Sequence, residues 1–171
     1  MNYFIDFTLL LLIYFLFFYK KWINESKQVF VIKTLMYLYV VMVLFVTLMP
    51  FILPFGGTNN LFMQTANLIP FRDLLLNHDR AVREIILNII MMMPFGFLYP
   101  IIKRKGVLGT IVITFLFSLT IECSQLLSAW WGGIYSRNFD VTDLITNTIG
   151  GLIGYYIFIT LRPTLYKVLD D

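Results

Sequence analysis

Between Val107 and Trp131 the chain is apolar except for a few polar positions, among which Ser118, Glu122 and Gln125 form a stripe. They fall at i, i+4 and i+7, so they share one helix face. A second stripe, Asp140, Asp143 and Asn147, opens the apolar run Val141–Leu161 at spacings i, i+3 and i+7. Arg137 stands just before it, and Asn88 lies one turn inside the run Ile85–Ile102. Such a set can hydrogen-bond a polar headgroup, with the guanidinium of Arg137 meeting a phosphate or carboxylate. It can also do chemistry. Glu122 would then be the general base, and Asp140 with Asp143 would hold a divalent cation. Carboxylate and amide oxygens suit Mg²⁺ or Ca²⁺ and not zinc.

Each residue also has a plainer reading. Glu122 could be no more than the ion-pair partner of Arg137, because buried charges usually pair. Asp140 and Asp143 could simply favour the positive end of the helix they begin. Single His78 and single Cys123 make neither a zinc or haem site nor a disulfide framework. Met91-Met-Met93 reads as adaptable filling, and Trp130 with Trp131 as an interfacial belt.

The elements that hold these residues follow from composition. The 171 residues are 59% hydrophobic and only 13% charged, with a mean hydropathy of +0.80. A soluble domain carries about twice that share of charge. Disorder is excluded by the same figures, and the bilayer is the solvent that fits. Runs of about 20 apolar residues cross it as helices. Five are expected: Tyr3–Tyr19, Val29–Met49, Ile85–Ile102, Val107–Trp131 and Val141–Leu161. The third contains Pro94, Gly96 and Pro100 and is either a kinked crossing or a re-entrant segment; five crossings agree better with the charge pattern. The expectation is an all-α polytopic bundle forming one domain over residues 1–171.

Most of the 13 Lys and Arg residues lie in the connection after the first span, in Lys103-Arg-Lys105, and after the last span. The positive-inside rule then puts the amino terminus outside and the carboxyl terminus in the cytoplasm. The basic residues set orientation, so the net charge of +3 and the pI near 9.0 do not point to nucleic acid. By this topology the polar stripes lie in the outer leaflet, with Glu122 roughly 13 Å from the outer end of its helix at 1.5 Å per residue. The long connection Pro50–Glu84 is expected outside, with Leu53-Pro-Phe-Gly-Gly57 and Leu61-Phe-Met63 dipping onto the interface. The short connection Trp131–Asp140 makes the last two spans antiparallel neighbours. Gly150-x-x-x-Gly154 lets helix backbones approach closely, for internal packing or for homo-oligomerisation.

These blocks resemble the VanZ family of bacterial membrane proteins, named for low-level teicoplanin resistance. The likeness rests on Asn67-Leu-Ile-Pro70-Phe71, on Asn88-x5-Pro94-Phe-Gly96, and on Ser118-x2-Ile-Glu122-x2-Gln125. It closes with Arg137-x2-Asp140-Val-x-Asp143-x3-Asn147-x2-Gly150-Gly-x2-Gly154. The blocks follow in order over about residues 67–155. The resemblance implies a bacterial cell-membrane protein acting against glycopeptide antibiotics without altering the D-Ala-D-Ala terminus they bind. Three function classes follow. The first is a non-enzymatic envelope protein that binds a lipid-linked wall precursor, or a lipoglycopeptide itself, without a resident cofactor. Its ligand residues would be Asn88, Glu122, Gln125, Arg137, Asp140, Asp143 and Asn147. A membrane enzyme and an oligomeric transporter or flippase come after it.

Overall fold

The computed structural model describes residues 3–51, 58–132 and 139–170. Five helices carry most of them: α1 (Tyr3–Trp22), α2 (Lys27–Thr47), α3 (Ala81–Lys103), α4 (Val107–Gly132) and α5 (Val141–Asp170). All five are long and apolar enough to cross a membrane, and no strand occurs among the described residues. Their outward faces are covered in exposed apolar side chains such as Leu16, Phe17, Val46, Leu108 and Tyr156. Water would not tolerate such a surface, whereas lipid does. The chain is an all-helical membrane protein.

Local chemistry explains where the helices begin and bend. Ser26 starts α2 with its side chain accepting from the Val29 amide, a normal helix cap. The middle of α1, Tyr14–Tyr19, is π-helical, and its rings of Tyr14 and Phe18 pack on Tyr37 of α2. The span with two prolines is one continuous helix of 23 residues. At 1.5 Å per residue it reaches roughly 34 Å, which crosses a hydrocarbon core. Its prolines survive because neighbours enclose them. Pro100 is buried, and the Tyr39 hydroxyl of α2 donates to the Met91 carbonyl at 2.7 Å in the turn that Pro94 interrupts. α5 continues past Leu161 through Pro163 to Asp170. Hydropathy marks where the bilayer ends, and a helix need not stop there.

The core joins α2, α3 and α4 through Tyr39, Val43, Leu48, Met92, Phe95 and Ile121. Phe95 stacks on both Tyr99 and Phe117, with centroids at 5.7 and 4.9 Å. α5 packs most closely against α3. A Cβ built on Gly150 or Gly154 would overlap the carbonyls of Ile89 and Met93, and one on Gly96 would overlap the Gly151 carbonyl. The Gly150–Gly154 stripe therefore serves α3, while Gly151 faces Thr114 of α4. The short connection alone would favour α4 as the partner of this face. Connection length brings α4 beside α5, but backbone-to-backbone approach goes where a small residue waits on the partner, and that is Gly96.

One end of the bundle gathers the end of α2, the start of α3, the end of α4 and the start of α5. It is the loop end. The other holds the α1–α2 and α3–α4 connections and is the basic end. At the loop end the long connection is tied down twice. The Asn59 amide donates to the Trp130 carbonyl at 2.7 Å, with Phe62 against the Trp130 ring. Asn67 then pairs its backbone with Phe139 and Val141, at 2.7 and 3.0 Å. Phe71 takes a left-handed backbone and leads into a single turn, Arg72–Leu75. The expected dip of residues 53–57 lies outside the described residues.

Candidate functional site

The two polar stripes meet between α4 and α5, and α3 closes the third side. Glu122 is 2% exposed and its Oε2 accepts from the Asp140 amide at 2.9 Å. Asn147 is 1% exposed, and its Nδ2 donates to the Ser118 hydroxyl at 2.9 Å. Asp143 accepts from Asn88 Nδ2 at 2.6 Å. Gln125 Nε2 donates to the Thr47 carbonyl at 3.1 Å, at the last turn of α2. Four helices are thus laced through side chains whose spacing puts them on facing stripes.

Asp140 is placed differently. Its Oδ1 accepts from the Thr142 amide at 2.7 Å and its Oδ2 from Asn67 Nδ2 at 2.9 Å. The first bond caps α5 and the second fastens the loop. The Thr142 hydroxyl accepts from the Phe71 amide at 2.9 Å, and Asn67 Oδ1 accepts from the Ile69 amide at 3.3 Å. Asn67, Pro70 and Phe71 therefore form a turn held on the start of α5. Both Asp140 oxygens are engaged by protein donors, which turns this carboxylate toward architecture. Among the described residues no three His, Cys, Asp or Glu side chains gather as a metal site. Arg137 lies outside the described residues. Among those described, no cation sits within ion-pair distance of Glu122 or Asp143.

Glu122, Gln125, Asp143 and Asn147 form the floor of a cavity of about 550 Å³. Asn88 and Glu84 line one wall, and Pro94 and Met91 extend it along α3. Its mouth lies between α2 and α3, where Met42, Val46, Leu87 and Ile90 line it and stand about half exposed. These apolar side chains sit on lipid-facing surfaces, so the cavity opens sideways. Asn147 Oδ1 is buried here without a hydrogen-bond partner. An unpaired acceptor of that kind costs roughly 1–3 kcal/mol. The floor otherwise offers two carboxylates and the amide of Gln125, so it suits a ligand that donates hydrogen bonds.

Two acids of this end stand outside the expected site. Glu84, expected at the edge of the long connection, lies on the first turn of α3. Asp6 in α1 is fully buried, with Oδ2 accepting from the Phe51 amide at 3.0 Å and Oδ1 unpartnered. It is the one charged residue of the run Tyr3–Tyr19, with no second acid or base to mark a stripe. The signal was the carboxylate itself, since one inside a span needs a reason to be there.

Comparison with known proteins accords with this arrangement of residues. Over 100 residues the sequence is 33% identical to Protein VanZ of Enterococcus faecium, covering 58% of this chain and 55% of that relative. The chain spans about half the length of the curated relative it matches. No solved structure matches it. The VanZ/LLP1 family profile matches residues 4–162, which reach into all five apolar helices and take in the whole polar floor. The chain belongs to the VanZ/LLP1 family.

Proposed function

We propose that this is a bacterial cell-membrane protein that lowers susceptibility to teicoplanin-type lipoglycopeptides by binding an amphiphile in the laterally open cavity. One observation carries the reading: an apolar mouth between α2 and α3 leads to a polar floor of Glu122, Gln125, Asp143 and Asn147. An acyl or isoprenoid chain would lie against Met42, Val46, Leu87 and Ile90. Its head would donate amide or hydroxyl hydrogens to the floor, where Glu122, Asp143 and Gln125 carry the acceptor oxygens. A lipid-linked wall precursor and the acylated drug both have this construction. With the amino terminus outside, the cavity lies in the leaflet where both molecules reside. Sequestering either would lower the amount of drug held at the surface.

The test uses a teicoplanin-sensitive Gram-positive host expressing the parent, Glu122→Gln or Asp143→Asn, with membrane levels matched. The parent is expected to raise the inhibitory concentration, and each variant to lose most of that gain. Purified parent should bind teicoplanin or the lipid-linked precursor above background. If neither is bound and the parent gives no protection, the reading falls. Altered lipid or wall-fragment profiles on expression would instead bring forward catalysis with Glu122 as the base.

A further inference from the structure

The basic end of the bundle carries a second, open cavity of about 500 Å³, bordered by the end of α3, the start of α4 and the later turns of α5. Arg104, Lys105 and Arg162 line it together with Tyr155 and Tyr166, and among the described residues no Asp or Glu does. Among the described residues, none of these three cations has a carboxylate within ion-pair distance. Arg162 is seated on the Tyr166 ring, its guanidinium carbon 5.4 Å from the centroid. Such stacking holds the planar fork in place while leaving its edge free to donate. The wall also contains the start of a 26-residue helix. Gly106 lines the cavity, and its carbonyl accepts from the Thr110 amide at 3.0 Å, which makes Gly106 the cap of α4. The first amides of α4 have no partner within the helix. Among the described residues, three cations, two tyrosines and the start of a helix border one space that no acidic side chain lines, and a multivalent oxyanion suits that lining.

The depth of the cavity narrows the source of that anion. Glu84 at the loop end and Arg104 are twenty residues apart along α3, roughly 30 Å at 1.5 Å per residue. That is the thickness of a hydrocarbon core, so this cavity opens at headgroup level on the opposite face of the membrane. We propose that it is a phosphate-binding site, filled by the headgroup phosphate of an anionic lipid or by a free phosphate ester. Topology alone would account for the basic residues being on this side. It would not account for a walled space with Arg162 stacked in position.

Gly106 supplies the test. A Cβ there meets nothing within 4 Å, and both Asn and Asp cap helices well. Gly106→Asn and Gly106→Asp therefore differ in one charge placed at the cavity's edge. The full chain, purified in mild detergent, would be titrated with phosphatidylglycerol, with dioleoylglycerol, and with phosphatidylglycerol in the presence of glycerol 3-phosphate. The parent and Gly106→Asn should bind phosphatidylglycerol alike. Gly106→Asp and Arg162→Gln should bind it about tenfold more weakly or less, at unchanged thermal midpoint. Competition by glycerol 3-phosphate would assign the site to a free phosphate ester, and its absence to the lipid. Equal binding by Gly106→Asp and Gly106→Asn would overturn the proposal, as would dioleoylglycerol binding as tightly as phosphatidylglycerol.

Discussion

Asp140 and Asp143 stand three residues apart on the start of α5 and have different tasks. Asp140 spends both oxygens on protein donors, Thr142 and Asn67, whereas Asp143 has its recorded bond to Asn88 and borders the cavity. Asp140→Ala removes a helix cap and leaves the Asn67 amide without its acceptor. The expected loss is about 2 kcal/mol, read as a lower unfolding midpoint in detergent. Asp143→Asn should cost less, because an amide oxygen still accepts from Asn88; its effect belongs in ligand affinity. An equal loss of stability in both variants would remove this division of labour. The spacing of the stripes placed these carboxylates on one face, but it carried no information about which oxygen finds a donor. Asn67 is 73 residues away, and only the folded loop brings it to Asp140.

At the scale of helices, the α3–α5 contact is where the fold has least tolerance. Gly154→Leu would drive a side chain into the Met93 carbonyl, which is backbone and cannot step aside. Little folded protein is expected from it in a detergent-solubilised, size-exclusion assay. Gly109→Ala on α4 is the contrast. Its Cβ meets the Lys105 Cβ at 3.3 Å, a tight but not overlapping contact, and alanine favours helix over glycine by up to about 1 kcal/mol. That variant should fold with a stability close to the parent's. The number of spans, the starts of the last two and the small-residue stripe were legible because hydropathy and spacing are one-dimensional signals. The partner of the stripe was not, since choosing α3 over α4 depends on Gly96 lying at matching height after three helices have packed. Asp6 shows the same limit: its bond to Phe51 joins residues 45 positions apart.

At the scale of the whole molecule, orientation decides which leaflet each cavity serves. Basic residues concentrate at the end opposite the polar floor, which predicts the amino terminus outside. Cys123 is the one cysteine and is exposed, so Cys123→Ser gives a clean background. On it, Asn77→Cys should react with a membrane-impermeant maleimide in intact cells, and Asn24→Cys only after the cells are opened. The reverse pattern would put the larger cavity in the inner leaflet and remove its access to molecules at the cell surface.

The sideways mouth between α2 and α3 changes what concentration means for this protein. A ligand that must first dissolve in the bilayer is counted per unit of membrane area, not per litre of buffer. Its apparent dissociation constant should rise in proportion to the lipid or detergent supplied, because extra amphiphile dilutes it. A sparse ligand in a small membrane can then fill the site while its aqueous level stays near zero. Two laboratories using different amounts of detergent would report different affinities for the same protein, and surface density would reconcile them.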